Sequence, residues 1–314
     1  MNLDKTIQTY RANGKLMISG EYLVLRGSLS LSVPLSVGQS LTVREHSGTP
    51  ALVWKTYVKG QPWFDAVFSL NGFIIGNTND FPTAQYLREL LLAAESMNPG
   101  FLEKGKRYEI VSKVEFDMNW GFGSSSSLIV NLAAWAKVDP FVLFRRVSTG
   151  SGYDVATAMS QKPVVYRLNE NKPEIRHVDF NPVFRDQLYF AYLGKKRNST
   201  QAVNQFNENE ERSYVSEIHE IDAITEEMIQ TAELRNFRRL MHEHERIISG
   251  ILGIPAIGEN FFNDLSGEVK SLGAWGGDFV MLASDMPKEY LISYLRKKDL
   301  NIWFGYDEIV LKQE

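Results

Sequence analysis

Residues 121–127 read GFGSSSS and sit between an alternating strand-like run and an apolar helix-like run. Glycines let the main chain approach an anion closely and adopt positive φ. The helix that follows offers unpaired N–H groups and the positive end of its dipole to the same anion. A linker reading fits poorly, because strong structure abuts both sides. Capping by Ser124 or Ser125 alone needs neither four serines nor two close glycines. The P-loop pattern GxxxxGK[ST] is not present, so this is not a Walker A loop. Phosphate binding by main chain is the expectation.

Around this loop the chain alternates between two periodicities. Residues 15–25, 28–43 and 51–75 are rich in strand formers, broken at Arg26-Gly27, Lys59-Gly60 and Asn71-Gly72, with a bent hairpin expected at Pro34 and Gly38. Residues 82–97 predict a helix with Tyr86, Leu87, Leu90, Leu91 and Ala94 on one face. Residues 108–118 alternate as a strand, residues 125–138 form an apolar helix, and Asp139-Pro140 opens a short helix to Val147. Strands follow at 163–168 and 187–193, separated by a polar segment at 169–173. Helices are expected at 208–229 and Leu234–Leu252, then a strand at Phe279–Ala283, a helix at Lys288–Lys297 and a closing strand at 302–311. Early hairpins with interspersed helices favour α+β over a doubly wound parallel sheet.

The 314 residues suffice for two ordinary domains, and the boundary falls near 170–186. With 44% hydrophobic and 23% charged residues, the composition is that of a soluble globular protein. A net charge of -4 argues against a general nucleic-acid or membrane partner. The absence of cysteine removes disulfide and thiol chemistry. No signal-like start and no long apolar run appear, so the expectation is a cytoplasmic protein that acts on a small-molecule substrate; a homodimer is left open.

Three further segments carry weak signals singly. GSGYDVATA (150–158) puts Asp154 at the mouth of a helix, where an Asp is ordinarily a cap. KSLGAWGGDFVML (270–282) is a glycine-rich turn feeding a strand, ordinarily a tight hairpin. NGKLMISGE (13–21) contains Lys15, ordinarily a solvated lysine. His242 and His244, two apart on a helix, face different ways and make no metal pair. The aromatic cluster Trp54, Tyr57, Trp63, Phe64 and Phe68 lacks a basic groove and reads as core or interface.

Taken in order, these motifs resemble those of the GHMP kinase superfamily: Gly14-Lys15…Gly20-Glu21, GFGSS at 121–125 and GAWGGD at 273–278. GSGYDVATA, KSLGAWGGD and KKRNSTQAV (195–203) are most similar to the phosphomevalonate and mevalonate kinase branch. The resemblance implies a two-domain α+β fold, with an N-terminal domain like ribosomal protein S5 domain 2 (1–175) and a ferredoxin-like C-terminal domain (176–314). It implies ATP and Mg²⁺ as cofactors, in a site between the domains. Gly121, Gly123, Ser124, Ser125 and Ser126 would cradle the phosphates, with Ser125 helping to hold Mg²⁺. Asp154 matches the catalytic aspartate and Lys15 the lysine near the transferred phosphate. Glu21, Gly273, Gly276 and Gly277 fall on the substrate side. Lys195, Lys196 and Arg197 with Ser199 and Thr200 supply the positive charge and hydroxyls that a phosphorylated acceptor demands, though a solvated basic turn reads equally well.

The chain departs from the family pattern at Trp275, which stands where a small residue is usual, and no glutamate matches the second magnesium ligand of mevalonate kinases. The activity expected is transfer of the γ-phosphoryl group of ATP to an isoprenoid precursor, phosphomevalonate before mevalonate. The alternatives are a sugar kinase, diphosphomevalonate decarboxylase, or a non-catalytic ATP- or metabolite-binding regulator of the same fold.

Overall fold

The computed structural model describes residues 6–195, 206, 213–275 and 277–313. They divide into two compact units that are not continuous in sequence. The first comprises the chain up to Gly14 with Val37–Met118 and Phe122–Met159; the second comprises Lys15–Ser36, Asn119–Gly121 and the chain from Ser160 on.

Two long strands, β1 (Thr6–Ser19) and β2 (Ser30–His46), contribute to both units. In the first unit, β3 (Ala51–Val58), β4 (Gln61–Phe68) and β5 (Ile75–Thr78) turn at the glycine-containing breaks the sequence marks. With β6 (Arg107–Val114) they form a sheet in the order β5-β4-β3-β6-β2, in which only the β3–β6 pairing is parallel and the other three are antiparallel. β1 also pairs with β2, so closely that a Cβ on Gly38 would lie 2.3 Å from the Ala12 carbonyl oxygen. That close approach lets β2 run on through Pro34 and Gly38, instead of folding into the expected hairpin.

The helices of this unit are α1 (Phe81–Met97), α2 (Ser124–Ala136), α3 (Pro140–Val147) and α4 (Tyr153–Met159). α1 starts at Asp80, whose carboxylate accepts from the Thr83 amide at 3.4 Å, and Asp139 caps α3 through the Val142 amide at 2.8 Å. The core joins the apolar stripe of α1 to Trp54, Phe64 and Phe68 of the sheet and to Ile129, Leu132, Ala133 and Ala136 of α2. α2 is buried on several sides, as its apolar sequence requires, and its buried Ser127 hydroxyl and Asn131 amide nitrogen are paired, while Asn131 Oδ1 has no partner among the described residues. Asn131 donates to the Gln39 carbonyl at 2.9 Å, Ser127 donates to Gln39 Oε1 at 2.7 Å, and Gln39 donates to Ser112 Oγ at 2.8 Å.

In the second unit, Ser30–Ser32 of β2 pair with β7 (Val164–Asn169), which pairs with β8 (Lys172–His177). The polar segment 169–173 is therefore a hairpin turn, with Glu170 and Asn171 at positive φ. A second, antiparallel sheet runs β10-β11-β9-β12, from β9 (Leu188–Tyr192), β10 (Glu268–Ser271), β11 (Phe279–Ala283) and β12 (Trp303–Gly305). Every residue of β11 is buried, which explains its unbroken apolar sequence. The helices here are α5 (Val215–Gln230), α6 (Leu234–Leu252), α7 (Ile257–Asn260), α8 (Lys288–Lys297) and α9 (Tyr306–Ile309).

Two further expectations change. The run 15–25 is not one strand. β1 starts earlier and ends at Ser19, because Gly20 (φ 91°) and Tyr22 (φ 62°) take left-handed backbone that turns the chain into a short 3-10 helix, Leu23–Arg26. The closing strand 302–311 is only three residues long and gives way to α9, after which Val310 bridges Leu35. Among the described residues, no helix is long and apolar enough to cross a membrane.

Candidate functional site

In the first unit, Gly123 ends the loop with φ 85° and leads directly into α2. No side chain caps this end among the described residues, and the first helical bond is from the Ser127 amide to the Gly123 carbonyl at 2.9 Å. The amides of Ser124, Ser125 and Ser126 therefore precede the helical ladder. Ser126 is buried and donates its hydroxyl to the Gly123 carbonyl at 2.9 Å, which holds the loop rather than a ligand. Ser125 is exposed, and its hydroxyl lies 2.6 Å from the Tyr86 hydroxyl of α1.

Asp154, in the first turn of α4, is half-buried, and its Oδ1 accepts from the Val155 amide at 3.0 Å. Burial pushes the Tyr86 phenol above its ordinary pKa; the hydrogen bond to Ser125 opposes this, and the charges of Asp154 and Glu89 reinforce it. Asp154 thus acts electrostatically on the group that holds Ser125. A protonated phenol and a serine hydroxyl meet at an open helix N-terminus, and Asp154 acts on the phenol through its charge.

These residues fit a magnesium nucleotide. Among the described residues there is no cluster of three His, Cys, Asp or Glu side chains that could hold a metal ion. Mg²⁺ characteristically takes one or two protein oxygens and fills its sphere with phosphate and water. Ser125 at a phosphate-competent helix end is compatible with that donor set.

In the second unit, Lys15, Leu16 and Met17 of β1 line a small cleft with Trp120, Gly121, Leu272, Gly273, Asp278 and Phe279. Gly121 (φ 67°) and Gly273 (φ 69°) are both left-handed. A Cβ on Gly121 would lie 2.7 Å from Asp278 Oδ2, so glycine is required there for space as well as for conformation. Asp278 itself has φ 55°, an uncommon backbone state for a buried aspartate. Gly277 is buried beside it. Trp275 is buried and does not line the cleft, and its amide donates to the Tyr22 hydroxyl at 3.2 Å. Lys196, Arg197, Ser199, Thr200 and Gly276 lie outside the described residues.

Glu21 is 2% exposed and faces the fully buried Lys270, whose Nζ lies 2.5 Å from Glu21 Oε1. His244 Nε2 accepts from the Gly20 amide at 3.0 Å and stands 3.2 Å from Glu21 Oε2. Ser271 Oγ donates to Glu245 Oε2 at 3.2 Å. Burial alone would raise the Glu21 pKa, but Lys270 and His244 outweigh it and bring it to about 2. Burial and Lys270 lower His244 to about 4, and burial, with Glu21, raises Glu245 to about 8. At neutral pH the cluster is therefore one ion pair with a neutral imidazole and a protonated carboxyl.

A carboxyl raised from 4.5 to about 8 contributes stability that is present below 4.5 and lost as pH rises toward 8. Glu245→Gln is expected to flatten the fall in Tm between pH 6.5 and 8. Parallel curves for wild type and variant would show that Glu245 does not carry that proton.

Sequence reasoning missed Tyr86, Asp278, Lys270, His244 and Glu245 as site or near-site groups. Tyr86 falls on the apolar face of its helix, and a phenol on such a face gives no sign of its hydroxyl partner. Lys270 and Asp278 lie in the segment 270–282, whose local signal is its glycines.

No protein-family model and no curated protein sequence matches the chain. Solved structures do. Mevalonate kinase of L. major, in complex with R-mevalonate, is similar with TM-score 0.68 and 16% identity over 96% of each chain. Phosphomevalonate kinase of Streptococcus pneumoniae, in complex with phosphomevalonate and AMPPNP, gives TM-score 0.67 and 15% identity over 95% of this chain and 99% of that one. Galactokinase of Lactococcus lactis, complexed with galactose, gives 0.62 and 13% over 93% and 88%. Identities this low separate no branch from another, and what the three share with this chain is the fold alone, an α+β architecture in two units.

Proposed function

We infer that the chain is an ATP-dependent small-molecule kinase that transfers the γ-phosphoryl group to an isoprenoid precursor, phosphomevalonate or mevalonate. The observation that carries this reading is the uncapped N-terminus of α2, with the exposed Ser125 hydroxyl held there by Tyr86. A helix end bare of capping side chains in a buried, well-packed element is suited to an anion. Phosphoryl transfer asks a protein mainly for positioning and charge neutralisation.

In this reading the amides of Ser124–Ser126 and the loop glycines Gly121 and Gly123 hold the phosphates, and Ser125 contributes an oxygen to the metal. Mg²⁺, when bound, offsets charge on the phosphates. Lys15 adds positive charge near the transferred group. For an alcohol acceptor, the hydroxyl proton passes to Asp154 as the oxygen–phosphorus bond forms and the bond to ADP breaks. For a phosphomonoester acceptor the attacking oxygen is already ionised, so Asp154 and Lys15 orient and stabilise instead.

Phosphomevalonate is favoured by the start of the basic segment. The Asp278 amide donates to the Lys195 carbonyl at 2.7 Å, so Lys195 is anchored to a cleft residue. Lys196, Arg197, Ser199 and Thr200 follow it directly in sequence. Arg197→Ala is expected to raise KM for a phosphorylated acceptor by tenfold or more, and to leave an unphosphorylated one within about twofold, as a charge-assisted phosphate contact would. Equal effects on both would make the segment structural only. The reading as a whole is tested by acceptor-dependent ADP release with mevalonate, phosphomevalonate, diphosphomevalonate, homoserine and galactose. Carbon dioxide release would identify a decarboxylase, and no acceptor-dependent rate on any of them would sink the kinase.

A further inference from the structure

The buried cluster in the second unit joins three segments, and two of them are walls of the Lys15 cleft. β1 carries Lys15, Leu16 and Met17 along one wall and ends at Ser19, directly before Gly20 and Glu21. β10 carries Lys270 and Ser271 and passes directly into Leu272 and Gly273, which line the other wall. α6 supplies His244 to the first segment, through the Gly20 amide, and Glu245 to the second, through Ser271. The Glu21–Lys270 ion pair closes the triangle. Lys270 also donates to the Ser271 carbonyl at 3.0 Å.

We propose that Glu21, Lys270, His244 and Glu245 are positioning residues that fix the two walls of the Lys15 cleft in register, and that Glu21 touches Lys270 rather than substrate. Holding the fold together does not require such a cluster. A buried ion pair replaced by apolar groups of similar volume is commonly neutral or stabilising. The Glu21–Lys270 pair is charge-assisted and the His244–Gly20 and Glu245–Ser271 hydrogen bonds are directional, so unlike apolar contacts they set distance and angle. Each of the four side chains bonds to, or faces, a group within five residues of a wall residue. The catalytic consequence rests on the kinase reading above; the structural consequence does not.

The double variant E21M/K270M removes the ion pair without leaving either charge alone. It is expected to unfold within a few degrees of wild type or above it. Hydrogen exchange at the amides of Leu272, Trp275 and Asp278 should accelerate at least tenfold, and KM for the acceptor should rise at least tenfold while KM for ATP stays within about twofold. Unchanged exchange and unchanged acceptor KM in a stable double variant would overturn the proposal. Should the double variant not fold, K270R keeps the charge and displaces its donors; it should show the same changes at reduced size, and wild-type behaviour there would equally overturn it. If wild type itself shows no acceptor-dependent ADP release, the kinase reading falls, while the exchange comparison still decides whether these residues set the cleft.

Discussion

Replacing Asp154 by asparagine is expected to lower turnover with an alcohol acceptor by about 10²–10⁴-fold, the range of a lost general base. ATP affinity should stay within a few-fold. Asparagine keeps the size of the side chain and an oxygen to accept from the Val155 amide, so α4 should be undisturbed. What disappears is the negative charge, and with it the capacity to take the acceptor proton. Steady-state kinetics with a separate measurement of nucleotide binding separates the two effects. The size of the loss also discriminates between acceptors. An attacking oxygen that is already ionised needs no base, so a phosphomonoester kinase should lose much less. Near-normal turnover on every acceptor would remove Asp154 from the chemistry.

The backbone of the candidate loop was legible in the sequence because it depends on glycine. The loop at 121–127 announces itself through glycine, whose value lies in conformations other residues avoid, and Gly121 and Gly123 do take positive φ. Regular elements with strong periodicity were equally legible: Leu234–Leu252, Phe279–Ala283 and Lys288–Lys297 have the bounds the sequence predicts. Elements set by tertiary contact were not. The end of β1 at Ser19 depends on left-handed backbone at Tyr22, for which tyrosine gives no local signal. The fate of Glu21 depends on a lysine 249 residues away, a distance no local pattern spans. One clue was present: Phe237, Leu240, Met241, His244, Ile248 and Ile251 form a helical stripe, so His244 falls on a buried face while His242 is exposed. A histidine inside such a stripe calls for a polar partner from another element.

Lys270→Met, made alone, should be the most damaging stability change among these residues. It leaves the Glu21 carboxylate buried without its cation, a loss of about 3–5 kcal/mol for a broken buried pair. At about 2–4 °C per kcal/mol, Tm should fall by roughly 6–20 °C at neutral pH. The pH dependence then gives the cause. In wild type, Glu21 lies near 2 against an ordinary 4.5, so its contribution is present above 4.5 and lost as pH falls toward 2. His244, lowered from 6.5 to about 4, likewise contributes above 6.5 and loses its contribution on acidification. Without Lys270, burial at Glu21 is unopposed by that charge, and protonation becomes favourable. The cation that lowers His244 is also gone, so His244 Nε2 can give up its bond from the Gly20 amide and take a proton to donate to Glu21 Oε2, 3.2 Å away. Both routes stabilise the variant as pH falls. The gap in Tm between wild type and K270M should therefore narrow from pH 7 to pH 5, and a gap that stays constant would mean the loss is one of packing rather than of an uncompensated charge.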